Sequence, residues 1–232
     1  MAATYHPEGN RDFRRYIEST VPTAGVAGLN LLHISQMGRM GGIDRGLATA
    51  LKKEAIALDP RLKFGKVSGL NIAGHKLPDV TGSRYMPNSH TVYAPKSNYG
   101  VLAHEIGHSQ QYRSPLYKKT LAPLSKLGRV SALLGPLAPV LTDNESEARR
   151  NSLIASGMQV PTLVEELDAS RRGSKMLKKS GALKKVKNMT KMQKALMMMR
   201  PFAGIPSYLL AAMTPYLIYK YSKSRGLYEG KY

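Results

Sequence analysis

The sequence predicts a mainly α-helical protein with a small β-hairpin or sheet, an α+β fold that ends in a hydrophobic helix. Apolar residues recur at helical spacing in several segments, as they do in amphipathic helices. One short segment carries turn residues followed by β-forming residues, and residues 201–219 contain no charged side chain. At 232 residues the chain is long enough to bury one hydrophobic core.

Four segments are predicted along the chain. They are an N-terminal helical segment (1–62), a core (63–170), a basic helical segment (171–200), and a hydrophobic helix with a basic tail (201–232). Within the first segment, residues 44–58 should form a helix, because Leu47, Leu51 and Ala55 recur at helical spacing and a proline follows at position 60.

The β-structure is predicted within residues 83–95, which should form a short hairpin that turns at residues 87–89. Its second strand would contain the β-forming residues Thr91, Val92 and Tyr93. A helix capped by Ser97 or Asn98 should follow and run to about Tyr112. The chain therefore passes directly from a strand into a helix.

The formal net charge is +20, and the excess is concentrated towards the C-terminus. No acidic residue occurs between Asp168 and Glu229, whereas residues 171–200 are rich in Lys and Arg. Such a charge predicts attraction to polyanions, either an anionic membrane surface or nucleic acid bound through residues 171–200.

Two further features bear on the cellular setting. The N-terminal residues have no apolar run behind a basic start, so we expect no secretory signal. If residues 201–219 cross or enter a membrane, the basic segment before them should lie on the cytoplasmic side. The alternative is a protein held within a large assembly.

The chemistry is carried by the pattern H-E-x-x-H at residues 104–108. Residues four apart lie on one face of a helix, so His104 and His108 can bind one metal ion. Glu105 can reach a water at that metal and act as a general base. The chain has no Cys, so any further ligand must also offer nitrogen or oxygen. The alternative without a function is a solvated helix whose two histidines bind no metal.

The third ligand must be a carboxylate if it lies downstream, because no His follows His108. The extended metzincin pattern is absent, since Gln111 and Ser114 stand where it needs Gly and His. We select Glu145, three residues before the small Ala148, with Glu147 as the alternative. The acidic residues available are Asp143, Glu145, Glu147, Glu165, Glu166, Asp168 and Glu229. Glu145 could instead be an ordinary acidic helix start that pairs with an Arg four residues later.

These residues resemble the neutral zinc metallopeptidases of bacterial membranes, the YugP type, which are gluzincins. HEIGHSQQ is similar to the family's HEAGHAIQ, and ESEARR is similar to its E-x-x-A-S-R-R segment. The likeness covers roughly residues 83–221, and SYLLAAMTPYLIYKY resembles the family's C-terminal membrane helix. The resemblance implies a zincin-like catalytic helix pair within 63–170, with zinc held by His104, His108 and Glu145, and Glu105 as base.

The predicted function is a zinc-dependent endopeptidase, associated with membranes, that acts on protein or peptide substrates. Arg149 and Tyr93 are candidate donors to a developing oxyanion, and Thr91, Val92 and Tyr93 are a candidate strand for binding an extended substrate. The alternative is a structural or nucleic-acid-binding protein, of a virion or another assembly, that keeps a peptidase-like scaffold. A third interpretation is a membrane protein whose His pair is structural.

Overall fold

The computed structural model describes residues 44–67, 71–72, 75–76, 83–95, 98–185 and 190–228. Over these residues the protein is mainly helical with a small three-stranded sheet, which confirms the α+β prediction. The part of the predicted N-terminal segment that precedes residue 44 lies outside the described residues, as does the candidate cap Ser97.

The helices in this part of the chain are α1 (Asp44–Leu58), α2 (Tyr99–Gln111), α3 (Pro115–Lys119), α4 (Leu121–Leu134), α5 (Glu145–Gly157), α6 (Val160–Lys179), α7 (Ala182–Lys185), α8 (Lys191–Met199) and α9 (Ile205–Ser224). Short 3₁₀ turns occur at Gly135–Leu137 and Arg200–Phe202. The strands are β1 (Lys63–Gly65), β2 (Asn71–Ile72), β3 (His75–Lys76), β4 (Arg84–Met86) and β5 (Thr91–Tyr93).

Two helices form where their local signals predict them. Helix α1 has the predicted bounds, and it buries Leu47, Leu51 and Ala55 in the core. Asn98 caps α2, because its side chain accepts a hydrogen bond from the backbone N–H of Val101. Caps and apolar spacing act within a few residues, so the sequence alone is enough to locate both helices.

The predicted hairpin is confirmed, and its second strand is the centre of the sheet. Strand β5 pairs with β4 in the antiparallel direction and with β1 in the parallel direction. The turn ends at His90, which adopts a positive φ of 51°. Its ring donates a hydrogen bond from Nε2 to the Asp59 carboxylate and accepts one at Nδ1 from the Tyr85 hydroxyl, and these bonds hold it there. The hydrophobic core lies between this sheet and helices α1, α2, α6, α7 and α8.

The chain divides into two compact units. The described part of the first unit comprises residues up to 123 together with 164–207, and it contains the sheet, α1, α2 and most of α6. The second unit contains residues 124–163 and 208–228, with most of α4 and α9 and all of α5. The four-segment division of the sequence stays a prediction.

Within the second unit, α4 buries small residues and exposes large ones. Gly128 lies so close to Met158 that a Cβ on it would approach the Met158 carbonyl oxygen to 2.8 Å. Ser131 donates a hydrogen bond to the carbonyl of Ala155 at 2.8 Å. The exposed side chains of α4 include the basic residues Lys126 and Arg129 and a larger apolar set: Leu124, Leu127, Val130, Leu133 and Leu134.

The uncharged segment 201–219 forms the Arg200–Phe202 turn and most of α9, a helix of 20 residues with Pro215 inside it. Of the helices that the structure describes, none is both long enough and apolar enough to cross a membrane.

Helices α2 and α6 approach each other closely through two glycines of the first unit. A Cβ on Gly107 would lie 1.9 Å from the carbonyl oxygen of Ala169, and a Cβ on Gly173 would lie 2.3 Å from that of Ala103. No side chain fits at either position unless a backbone moves. The two contacts are therefore a steric requirement for the observed spacing of the helices.

We predict that Gly107→Ala destabilises the protein by about 1–3 kcal/mol, because the methyl group must push the two helix backbones apart. The change should appear as a lower urea midpoint. Gly46→Ala is the matched control, since a Cβ there meets nothing within 4 Å. It should change stability by less than about 1 kcal/mol. Equal effects of the two substitutions would contradict the close contact.

Candidate metal centre

His104 and His108 extend from one face of α2 and meet at their Nε2 atoms, which lie 3.2 Å apart. Their rings stand almost perpendicular, with an interplanar angle of 88°. Both side chains are largely buried. The i, i+4 spacing of the motif therefore produces the predicted convergence of two imidazoles.

The third group at this point is Glu166 of α6. Its Oε2 lies 2.9 Å from the Nε2 of His104 and 3.3 Å from the Nε2 of His108. Tetrahedral zinc with bonds of roughly 2.0–2.1 Å to nitrogen and oxygen requires ligand atoms about 3.3 Å apart. The three observed separations are close to that value, so the donor set fits a zinc ion.

Hydrogen bonds at the opposite ring nitrogens define which histidine atoms can bind a metal. Nδ1 of His104 lies 2.9 Å from the hydroxyl of Ser170, which donates its own hydrogen to the carbonyl of Pro201. The hydroxyl must then accept from His104, so Nδ1 carries the hydrogen and Nε2 presents a lone pair.

The same holds for His108, whose Nδ1 lies 2.9 Å from the amide oxygen of Gln111. The amide nitrogen of Gln111 donates to the backbone carbonyl of Glu165 and to the carboxylate of Asp168, which fixes the orientation of the amide. Nδ1 of His108 is therefore the donor. In both histidines, Nε2 is therefore the atom that faces the Glu166 carboxylate and can bind a metal ion.

Three electron-rich atoms in a buried space require a positive charge between them. Burial alone would lower the pKa of His108, but the adjacent Glu166 carboxylate overcomes this effect and raises the pKa to about 9. Burial likewise acts to raise the pKa of Glu166, and its bonds to His104 and His108 nevertheless hold that pKa below its usual range. The electrostatics of the centre thus favour a bound cation.

Glu105 is buried beside this centre without being one of the three converging groups. Burial raises the pKa of its carboxyl, while the charges of His108 and His104 act in the opposite direction. The carboxylate accepts a hydrogen bond from the backbone N–H of Tyr85 in β4. The hairpin therefore positions the candidate base.

The structure does not place Glu145, the third ligand selected from the sequence, in this group. Glu145 begins α5 in the second unit, where it accepts hydrogen bonds from the Tyr219 hydroxyl and the Lys223 ammonium group. The alternative, Glu147, accepts a hydrogen bond from Thr142. Glu145 is therefore an ordinary carboxylate in the first turn of a helix, with partners in its own unit. We replace it with Glu166 as the candidate third ligand.

One sequence signal pointed to Glu166. The E-x-x-A-S-R-R signature is present in full at residues 166–172, whereas ESEARR lacks the Ser before its Arg pair. Two further letters of the signature have contacts in the site: Ala169 lies against Gly107, and Ser170 bonds to His104. The complete match marks the helix that faces the H-E-x-x-H motif.

The other predicted site residues lie elsewhere. Strand β5 is paired on both sides, so the backbone of Thr91, Val92 and Tyr93 cannot accept a substrate strand, contrary to the prediction. The Tyr93 ring lies against Gly65 and beneath the guanidinium group of Arg84. Arg149 belongs to α5 in the second unit. The roles of Tyr93 and Arg149 as oxyanion donors stay predictions.

Comparison with protein-family models, curated proteins and solved structures finds no match. The resemblance to the YugP-type metallopeptidases therefore depends on the residues and motifs of this chain alone.

We predict that Glu166→Gln weakens zinc binding by more than about 100-fold, because the neutral amide removes the anionic ligand. Glu145→Gln is the matched control, and it should keep the wild-type zinc content. Metal analysis after dialysis against a weak chelator measures both. Zinc retained in Glu166→Gln and lost in Glu145→Gln would restore the sequence-based assignment.

Proposed function

We propose that this protein is a zinc-dependent endopeptidase of the gluzincin type. The observation that carries the proposal is the convergence of His104 Nε2, His108 Nε2 and Glu166 Oε2, with Glu105 buried on the same helix. Two histidines on one helix and a glutamate on a second form the donor set expected of a catalytic zinc site with an open fourth position. Helices α2 and α6 would then be the zincin-like helix pair.

The residues of the chain suit the proton transfers of peptide hydrolysis. Zinc, when bound, supplies Lewis-acid activation of a water molecule and of the scissile carbonyl. Glu105 would accept the proton of that water and pass it to the leaving amine. Burial suits this role, because it raises the carboxyl pKa and makes the carboxylate a stronger base. The Tyr85 N–H holds the carboxylate in place.

Strand β4 is the better candidate for holding an extended substrate. Within the described part of the chain it pairs with β5 on one side only. The backbone N–H of Tyr85 in β4 bonds to Glu105, so this strand lies next to the candidate base. A substrate backbone added along β4 would lie beside the centre.

We predict that Glu105→Gln lowers peptide cleavage by about 10²–10⁴-fold and leaves the zinc content unchanged, because the amide cannot accept the proton. A quenched fluorescent peptide library measures cleavage. Glu54→Gln, on the surface helix α1, is the control of equal charge change and should keep full activity. Cleavage that survives in Glu105→Gln would exclude this residue as the base.

The membrane association predicted from the sequence is also proposed, and the packing of α4 supports it. Helix α4 carries small residues with interhelical hydrogen bonds on its inner side, and its exposed side carries leucines together with Lys126 and Arg129. Apolar side chains combined with basic ones are typical of a helix that lies at a membrane surface. Leu133 is 77% exposed and Leu127 is 55% exposed. In water these side chains would be expected to be buried, so an apolar surface is a fitting environment for α4.

We predict that the pair Leu127→Ser and Leu133→Ser weakens binding to vesicles of mixed zwitterionic and anionic lipid by about tenfold or more, because two apolar side chains no longer enter the bilayer. Co-sedimentation measures the binding. Leu116→Ser is the control, since Leu116 is 71% exposed but lies in the first unit. An equal loss of vesicle binding in the double variant and in Leu116→Ser would argue against α4 as the part of the protein that contacts the membrane.

A further inference from the structure

Two adjacent cavities in the first unit share Arg113, the second residue after α2. The first, of about 380 Å³, is lined by Arg61, Arg113 and Lys118 together with the rings of Tyr85 and Tyr112. The second, of about 320 Å³, is lined by Arg113, Arg172, Lys175 and Lys179. The Lys and Arg side chains that line them are cationic, and we call this pair of cavities the Arg113 groove.

Carboxylates neutralise only part of this charge. Asp59 lies beside the first cavity, 3.8 Å from the guanidinium group of Arg61 and 3.9 Å from that of Arg113. Asp59 also accepts a hydrogen bond from His90 at 2.9 Å. Asp168 pairs with Arg172 at 2.7 Å beside the second cavity. The two carboxylates are fewer than the six cations, so the groove has a net positive charge that suits an anion.

The Arg113 groove is connected to the candidate metal centre by β4 and α2. The ring of Tyr85 lines the first cavity, and its backbone N–H bonds to Glu105. Tyr112 follows Glu105 by seven residues, which corresponds to about 10 Å along a helix. An extended peptide covers that distance in about three residues. A side chain up to about three residues from the scissile bond could therefore enter the first cavity.

We propose that the Arg113 groove binds carboxylate groups of the substrate, so that the enzyme selects acidic peptide segments. This proposal rests on the proposed peptidase function. Nη1 of Arg113 donates one hydrogen bond to the Leu58 carbonyl at 3.1 Å, and the remaining N–H groups of its guanidinium suit hydrogen bonds to a carboxylate. The first cavity, of about 380 Å³, has room for one acidic side chain, and the second, of about 320 Å³, has room for another.

A peptide fits the groove better than a nucleic acid does. Single-stranded nucleic acids bind on exposed ring faces that stack with bases. The rings of Tyr85 and Tyr112 instead pack against each other, with centroids 5.5 Å apart, and both are half-buried. Strand β4, which borders the first cavity, offers backbone groups to an extended peptide.

The test measures binding separately from turnover, in the zinc-loaded Glu105→Gln protein. The probes are fluorescent hexapeptides with blocked ends that carry two Glu residues or two Gln residues. We expect the Glu peptide to bind about three- to tenfold more tightly than the Gln peptide at low salt. This is the size of effect that a few partly exposed ion pairs produce. Arg113→Gln and Lys118→Gln should each reduce this preference. Lys53→Gln, which removes an exposed charge from α1, should preserve it.

Equal affinity for the two peptides in the Glu105→Gln protein would overturn the proposal, and so would a preference that survives both Arg113→Gln and Lys118→Gln. Tighter binding of a single-stranded oligonucleotide of equal charge would overturn it in favour of nucleic acid. A Gln peptide with a free C-terminus distinguishes capture of the terminal carboxylate from capture of a side chain. Acid-selective binding without any cleavage by the wild-type protein would refute only the peptidase function, whereas cleavage without acid preference would refute only the groove.

Discussion

The contact between α2 and α6 is the constraint on which the candidate centre depends. Gly107 and Gly173 each place a bare backbone against a carbonyl of the other helix, and this sets the helix separation. Helix α2 supplies two imidazoles and α6 supplies one carboxylate, so their donor atoms meet only at this spacing. If α6 moved away from α2 by the length of one carbon–carbon bond, the Glu166 carboxylate would separate from the histidine Nε2 atoms, which now lie about 3 Å from it.

The buried polar groups around the centre form one connected network. Ser170 links His104 to the Arg200–Phe202 turn through the Pro201 carbonyl, and Gln111 links His108 to α6. Glu165 accepts a hydrogen bond from the Tyr117 hydroxyl of α3. Unsatisfied buried groups are costly, and here each polar group named has a partner. The network holds the ligands in a defined orientation and accounts for the presence of so many polar side chains in the interior of a small unit.

Local signals were sufficient for much of the fold and for half of the site. The bounds of α1, the Asn98 cap of α2 and the hairpin turn follow from residues close to one another in the sequence. The His pair is also local, since its members are four positions apart in one helix. The third ligand is different, because it follows His108 by 58 residues. Glu145 and Glu166 both precede an Ala by three residues, and only the longer signature, complete at 166–172, distinguishes them.

The sequence by itself determined the chemistry available: a chain without Cys, with one H-E-x-x-H helix and a carboxylate as the only possible third ligand downstream. The tertiary structure decided which carboxylate meets the histidines, which strand of the described sheet is paired on one side only, and which cations line the two cavities that share Arg113. The physical reason is that ligand identity and charge are properties of single residues. Proximity across α2, α6 and the sheet depends on how closely backbones pack, and here two glycines and a paired central strand set that packing.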